Sequence, residues 1–203
     1  MTYLTTPEQL QTLFETPGEA ALLKQATRLE PIYQDWIARS PFAVLATLGP
    51  DGLDTSPRGD PAPLVGMPDP HTLLLPERRG NNRIDSLKNI LHDDRVALIF
   101  FIPGVRETIR VTGRAKICVA AEVLARFTMQ GQIPKCVIEV KVEKVLFQCA
   151  RALLRSDFWH VGQLAAKPEV PSAGQILSAM TQNRFDGASY DAELPARQAR
   201  TLY

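Results

Sequence analysis

The clearest periodicity in the chain lies at 135–147, where Ile138, Val140 and Val142 alternate with Glu139, Lys141 and Glu143. A repeat of two puts apolar side chains on one face of a β-strand and charges on the other. Phe42-Ala-Val-Leu-Ala-Thr-Leu48 is almost wholly apolar and reads as a buried strand. Gly49-Pro-Asp-Gly52 then turns the chain, so that Leu53 to Gly59 returns as a hairpin partner. Further strands are predicted at 72–75, 95–101 and 108–119.

Helical spacing occupies other stretches. Thr6-Pro-Glu-Gln9 carries a capping residue, a first-turn proline and a capping-box glutamine ahead of Leu10, Leu13 and Phe14. A second helical stretch, 18–38, is interrupted at Glu30-Pro31, because proline removes a donor and restricts its predecessor. Ile84, Leu87, Ile90 and Leu91 form one face of a short helix over 82–92, with Asn81 or Asn82 as its cap. Shorter helices are predicted at 120–129 and 149–155, then a proline-containing connection at 167–171, a helix at 173–182 and a polar tail. Many strands with few helices between them favour a mainly β (α+β) antiparallel barrel over a doubly wound parallel sheet.

With 203 residues, 45% of them hydrophobic, the chain can bury one sizeable core. Basic residues exceed acidic ones by a single charge, so no net field draws nucleic acid or an anionic membrane surface, and an anion site must be local. No apolar run approaches the roughly 20 residues that span a bilayer, which with the polar N-terminal stretch reads as a cytoplasmic protein without a membrane segment. Cys118, Cys136 and Cys149 lack CxxC spacing and read as buried thiols. His71, His92 and His160 are scattered, so no metal site is predicted, and GxSxG, Walker A and GxGxxG motifs do not occur.

Three polar segments hold the candidate chemistry. In Thr72-Leu-Leu-Leu-Pro-Glu-Arg-Arg-Gly-Asn-Asn-Arg-Ile-Asp-Ser-Leu-Lys-Asn-Ile90, a strand passes through a basic turn into a helix, where amide donors, the helix dipole and Arg83 can meet a phosphate. A solvated turn with an asparagine cap is the ordinary alternative. Thr55-Ser-Pro-Arg-Gly-Asp60 concentrates hydroxyls, a guanidinium and glycine. Arg106-Glu-Thr-Ile-Arg-Val-Thr-Gly-Arg114 is the third. Each alone reads equally as a turn or a strand edge; together they suggest a shared ligand site.

These blocks, with Cys149-Ala-Arg-Ala-Leu-Leu-Arg-Ser-Asp-Phe-Trp159, resemble in order and spacing the FMN-dependent flavoproteins of the pyridoxamine 5′-phosphate oxidase-like group. The resemblance spans about 40–160, and Pro171-Ser-Ala-Gly-Gln-Ile-Leu177 is similar to the ending of one subgroup. It implies a six-stranded antiparallel Greek-key split β-barrel at 41–160, a helical segment at 1–40 packing on it, and a helical extension and tail at 161–203. It further implies a homodimer with FMN at the interface.

Carried over by position, Asn82 and Arg83 resemble the family's Arg-Lys pair at the FMN phosphate, so one of two charges is retained, and Asn81 adds an amide. Leu75 and Pro76 match strand positions lining the flavin. Thr55, Ser56, Pro57, Arg58 and Gly59 match the segment beside its ring, with Arg58 either stabilising negative charge on the flavin or serving structure. Thr108 falls where the family often uses glutamine. Arg155, Ser156 and Trp159 would close the site from the partner subunit, with a core role for the tryptophan as alternative.

The implied function is an FMN-dependent oxidoreductase acting on a small organic molecule. A noncatalytic flavin-binding or sensing protein and a reductase using the deazaflavin F420 are the alternatives. The C-terminal stretch Leu194-Pro-Ala-Arg-Gln-Ala-Arg-Thr-Leu-Tyr203 lacks the Arg-and-His segment of the authentic oxidases, which argues against efficient oxidation of pyridoxine 5′-phosphate.

Overall fold

A computed structural model describes residues 3–161 and 170–203. Most of the proline-containing connection predicted at 167–171 lies outside the described residues. The chain opens with three short helices, α1 (Pro7–Gln11), α2 (Glu19–Leu23) and α3 (Pro31–Ile37). Thr6 and Gln9 form the capping box read from the sequence. Between α2 and α3 the chain bridges Ala26 to Val145 and buries Leu29 in the core.

Seven strands follow: β1 (Phe42–Gly49), β2 (Gly52–Gly59), β3 (Gly66–Asp69), β4 (Thr72–Pro76), β5 (Arg95–Phe101), β6 (Thr108–Cys118) and β7 (Val137–Gln148). Helix α4 (Asp85–His92) lies between β4 and β5, and α5 (Ala121–Ala125) between β6 and β7. All strand pairs are antiparallel, in the order β2-β1-β5-β6-β7-β4-β3. The predicted antiparallel barrel is therefore present, with one strand more than six. The added β3 holds only four residues, two of them Gly66 and Pro68, so neither alternation nor propensity marks it.

The two ends of the sheet come together. Arg58 on the outermost strand β2 pairs with Glu77, one residue beyond β4, at 2.5 Å. Arg78 pairs with Asp60, just after β2, at 2.7 Å. Strand hydrogen bonding stops at β2, and ion pairs bridge the gap.

Inside, Leu45, Leu73, Leu75, Val96, Phe100, Val111, Ile138 and Val140 form one cluster drawn from five strands, joined by Ile90 of α4 and Ile37 of α3. The alternation along β7 buries Val140 and Val142 as predicted. Against β6 the register slips at Gly113, where β7 holds the extra residue Glu143. A Cβ on Gly113 would stand 2.0 Å from the Lys141 carbonyl oxygen, so the bulge requires glycine.

After β7 come α6 (Arg151–Arg155) and α7 (Phe158–Val161), then α8 (Ala173–Met180) and α9 (Gly187–Arg200). The polar tail of the sequence reading is largely this last helix, capped by Asp186 and carrying Pro195 within it. Helices α8 and α9 cross at Gly174 and Gly187, where an added Cβ would meet opposing backbone within 2.1 Å. The Asp191 carboxylate fastens the crossing by accepting the Gly174 amide at 2.8 Å.

Candidate functional site

A cavity of about 500 Å³ opens where the sheet ends meet, between β2 and segment 77–87. Its volume lies in the range that holds small cofactors. Thr55 to Gly59 form one side. Leu75 and Pro76 at the end of β4 form the floor with Leu64, and Asn81, Arg83 and Leu87 line the opposite side. Strand pairing explains how residues so far apart in sequence converge. β2 is tied to β1 alone at one end of the order, while β4 lies between β7 and the terminal strand β3 near the other.

Charge is arranged in pairs around this cavity. Arg58 donates through Nη1 to Glu77, while its Nε is buried and has no hydrogen-bond partner among the described residues. A buried, unpaired guanidinium donor is costly by roughly 1–3 kcal/mol, which makes it a place for a ligand acceptor. Arg78 Nε donates to the Asp60 carboxylate, whose side chain is only 4% exposed, and Arg78 Nη1 donates to the Phe127 carbonyl at 2.6 Å.

The phosphate-like segment has a specific backbone. Asn82 and Ile84 adopt φ of +59° and +54°. Asn81 Oδ1 accepts the Arg83 amide at 3.0 Å, closing a turn between them. Helix α4 consequently starts at Asp85, with Ile84 rather than Asn81 or Asn82 in the capping position and no side chain satisfying the first amides. The sequence reading placed the start three residues early. The left-handed residues break the helical path there. Asparagine tolerates that region, but a β-branched isoleucine in it is a genuine outlier of the kind that gathers at ligand sites.

Arg83 is exposed and its Nε donates to Asp85 at 2.7 Å. That hydrogen bond raises the guanidinium pKa and lowers that of the carboxyl. Neither Nη of Arg83 has a partner among the described residues, so both remain available to an anion.

The other predicted site residues lie elsewhere in the same chain. Asn82 lines a neighbouring cavity on the far side of segment 77–84. Thr108 is buried at the start of β6, opposite Gln148. Arg155 and Ser156 end α6 on the surface. Trp159 donates its indole N–H to the Val105 carbonyl at 2.6 Å, fastening α7 to the β5–β6 loop that leads into Thr108. None of these four lines the first cavity. Conversely, Glu77, Arg78 and Ile84 line the cavity without having been singled out. A carboxylate next to two arginines after an apolar strand was the available signal for the first two, but sequence alone does not tell a bridging pair from a solvated run.

Residues 29–149 match the family model for pyridoxamine 5′-phosphate oxidase. The chain belongs to that family. The match takes in α3, every strand, α4 and every residue of the first cavity, whereas α6 to α9 fall outside it. No curated protein sequence matches the chain. Similar solved structures include a single-residue variant of HupZ from Group A Streptococcus, 18% identical over 59% of this chain and 99% of that one, with a TM-score of 0.49. General Stress Protein 26 from Bacillus anthracis str. Sterne is 15% identical over 56% of this chain and 88% of its own, TM-score 0.43. The FAD binding protein from Mycobacterium smegmatis is 14% identical over 60% and 96%, TM-score 0.40. Family membership rests on the sequence match.

Proposed function

We propose that the chain is an FMN-binding flavoprotein, a homodimer acting as an oxidoreductase on a small organic molecule. The observation that carries this reading is the convergence of Thr55–Gly59, Leu75–Pro76, Asn81 and Arg83 on one cavity, with Asn82 turned to the neighbouring one. All were singled out from the sequence for the same ligand. The residues present suit such a cofactor. The free amides of α4 and the two open Nη groups of Arg83 receive the phosphate, Leu64 and Leu75 supply an apolar wall for the ring, and Arg58 Nε offers a donor to a ring carbonyl. Bound FMN would supply reversible electron transfer. Arg58, its charge balanced by Glu77, would act on the ring through the hydrogen-bond donor at Nε and not as a free charge.

In the homodimer, the group around the β5–β6 loop, Thr108, Arg155, Ser156 and Trp159, closes the cavity of the partner. Three free cysteines agree with a cytoplasmic setting. The C-terminal arginines give no support to pyridoxine 5′-phosphate as substrate, since Arg197 lies over the Tyr190 ring at 4.3 Å within its own helix.

The test is to purify the protein, extract its cofactor and identify it by absorbance and chromatography, then to reduce it with NADH or NADPH and reoxidise it with a substrate panel. FMN at near one per chain and reoxidation by an organic acceptor support the reading. Extraction of F420, a protein that neither carries nor takes up FMN, or flavin that never turns over sinks it in the corresponding part. Light scattering at twice the chain mass supports the dimer, and a monomer with full FMN occupancy refutes closure by the partner.

A further inference from the structure

We propose that the cavity on the far side of segment 77–84 is a second binding site, for a small aromatic anion such as an aryl carboxylate or aryl phosphate, with Tyr203 as its positioned wall. This cavity measures about 440 Å³ and is separate from the first, sharing only the segment that divides them and Leu87 behind it.

Its chemistry follows from which charges are already neutralised. Glu77 is paired with Arg58 and Arg78 with Asp60. The remaining ionic side chains of the lining, Arg79 and Lys135, make no ion pair among the described residues. Burial pushes the Cys136 thiol up, so it adds no opposing charge. Two exposed cationic side chains without ion-pair partners among the described residues therefore border a lining whose body is Ile84, Leu87, Ile133 and Pro134. An anionic head on an apolar ring satisfies both parts, whereas a bare inorganic anion leaves the apolar part unused.

Tyr203 makes the lining specific. Its hydroxyl donates to Asp60 Oδ1 at 3.1 Å, while Arg78 holds the other oxygen of that carboxylate and lies over the tyrosine ring at 5.7 Å. Arg78 is itself anchored to the Phe127 carbonyl. Tyr203 is thus held through Asp60 to a withdrawn ion pair, and its aromatic ring forms part of the cavity wall.

The experiment titrates phenyl phosphate and benzoate into the full chain, as purified and again saturated with FMN, with benzyl alcohol and inorganic phosphate as controls. Binding is read by calorimetry. At least one aryl anion should bind in both forms, with both controls weaker by about tenfold or more. Arg79→Ala and Lys135→Ala should each weaken it about tenfold, the effect of one lost charge-assisted contact. Tyr203→Ala should weaken it further than Tyr203→Phe, which keeps the ring, with circular dichroism confirming that each variant is folded. Displacement of the aryl anion by FMN would place it in the first cavity and overturn the proposal. So would inorganic phosphate binding as tightly as phenyl phosphate, indifference to Lys135→Ala, or no binding at all. Failure of FMN to bind bears on the flavin reading alone.

Discussion

Arg58 and Glu77, nineteen residues apart in sequence, meet at 2.5 Å across the open side of the barrel, with side chains only 13% and 20% exposed. Most surface pairs contribute little, but this one is withdrawn from water and joins the two ends of the sheet. Glu77→Ala leaves the Arg58 guanidinium buried without a counter-charge and should lower unfolding free energy by about 3 kcal/mol. Urea denaturation checks this. A change in midpoint with an unaltered slope is expected, and a loss under about 0.5 kcal/mol would show that the pair behaves as a solvated surface contact.

Arg83 shares its charge with Asp85, so the two residues make opposite predictions for an anionic ligand. Arg83→Ala should weaken FMN at least tenfold while leaving riboflavin, which lacks the phosphate, nearly unchanged. Asp85→Asn removes the competing carboxylate and should tighten FMN a few-fold, again with riboflavin indifferent. Equal effects on both ligands in fluorescence titration would remove Arg83 from the phosphate.

Ile84 sits at φ +54°. Ile84→Ala and Ile84→Gly both delete the side chain, but only glycine relieves the left-handed backbone. The glycine variant should therefore be more stable than the alanine variant by about 1 kcal/mol. Thermal unfolding of the pair measures the difference. Equal stabilities would mean that the backbone is not held in this region in solution.

Burial, followed by the hydrogen bond to Asp60, raises the Tyr203 hydroxyl above the ordinary tyrosine value of about 10. A raised folded-state value means that the protonated form is the one stabilised. The contribution of the contact is complete below the unfolded value and is lost as pH climbs through the folded one. Ultraviolet titration of the protein and of Tyr203→Phe should differ by one tyrosine ionising at the alkaline end. If the two titrations instead differ at the ordinary position near 10, the contact is contradicted.

Strands were legible where burial writes a period into the sequence. β5 falls on its predicted bounds, and β7 follows its alternation, because one face of each packs on the core. β3 was invisible, being too short for a pattern. α9 was read as a tail because its apolar positions serve α8 and not the barrel, so its composition looks solvated. Of the residues lining the cavity, Thr55–Gly59 and Arg83 stood out by residue chemistry along the chain, and Leu75 by the family resemblance. The partners of Arg58 and Arg78 and the backbone of Ile84 were not, since pairing across the barrel and left-handed geometry at a β-branched residue leave no local signature. Tyr203 reaches Asp60 over 143 residues of separation, a contact that only the fold creates.

β2 hydrogen-bonds to β1 alone and buries none of its eight residues, tolerating Pro57 in its middle as an edge strand can. Half of its main-chain groups therefore face away from the sheet, along the same stretch that borders the cavity. A ligand read by peptide groups is recognised through atoms that every amino acid shares. Substitutions at Thr55, Ser56 and Pro57 would leave such a main-chain contact in place, because they change the side chains and not the peptide groups along this edge.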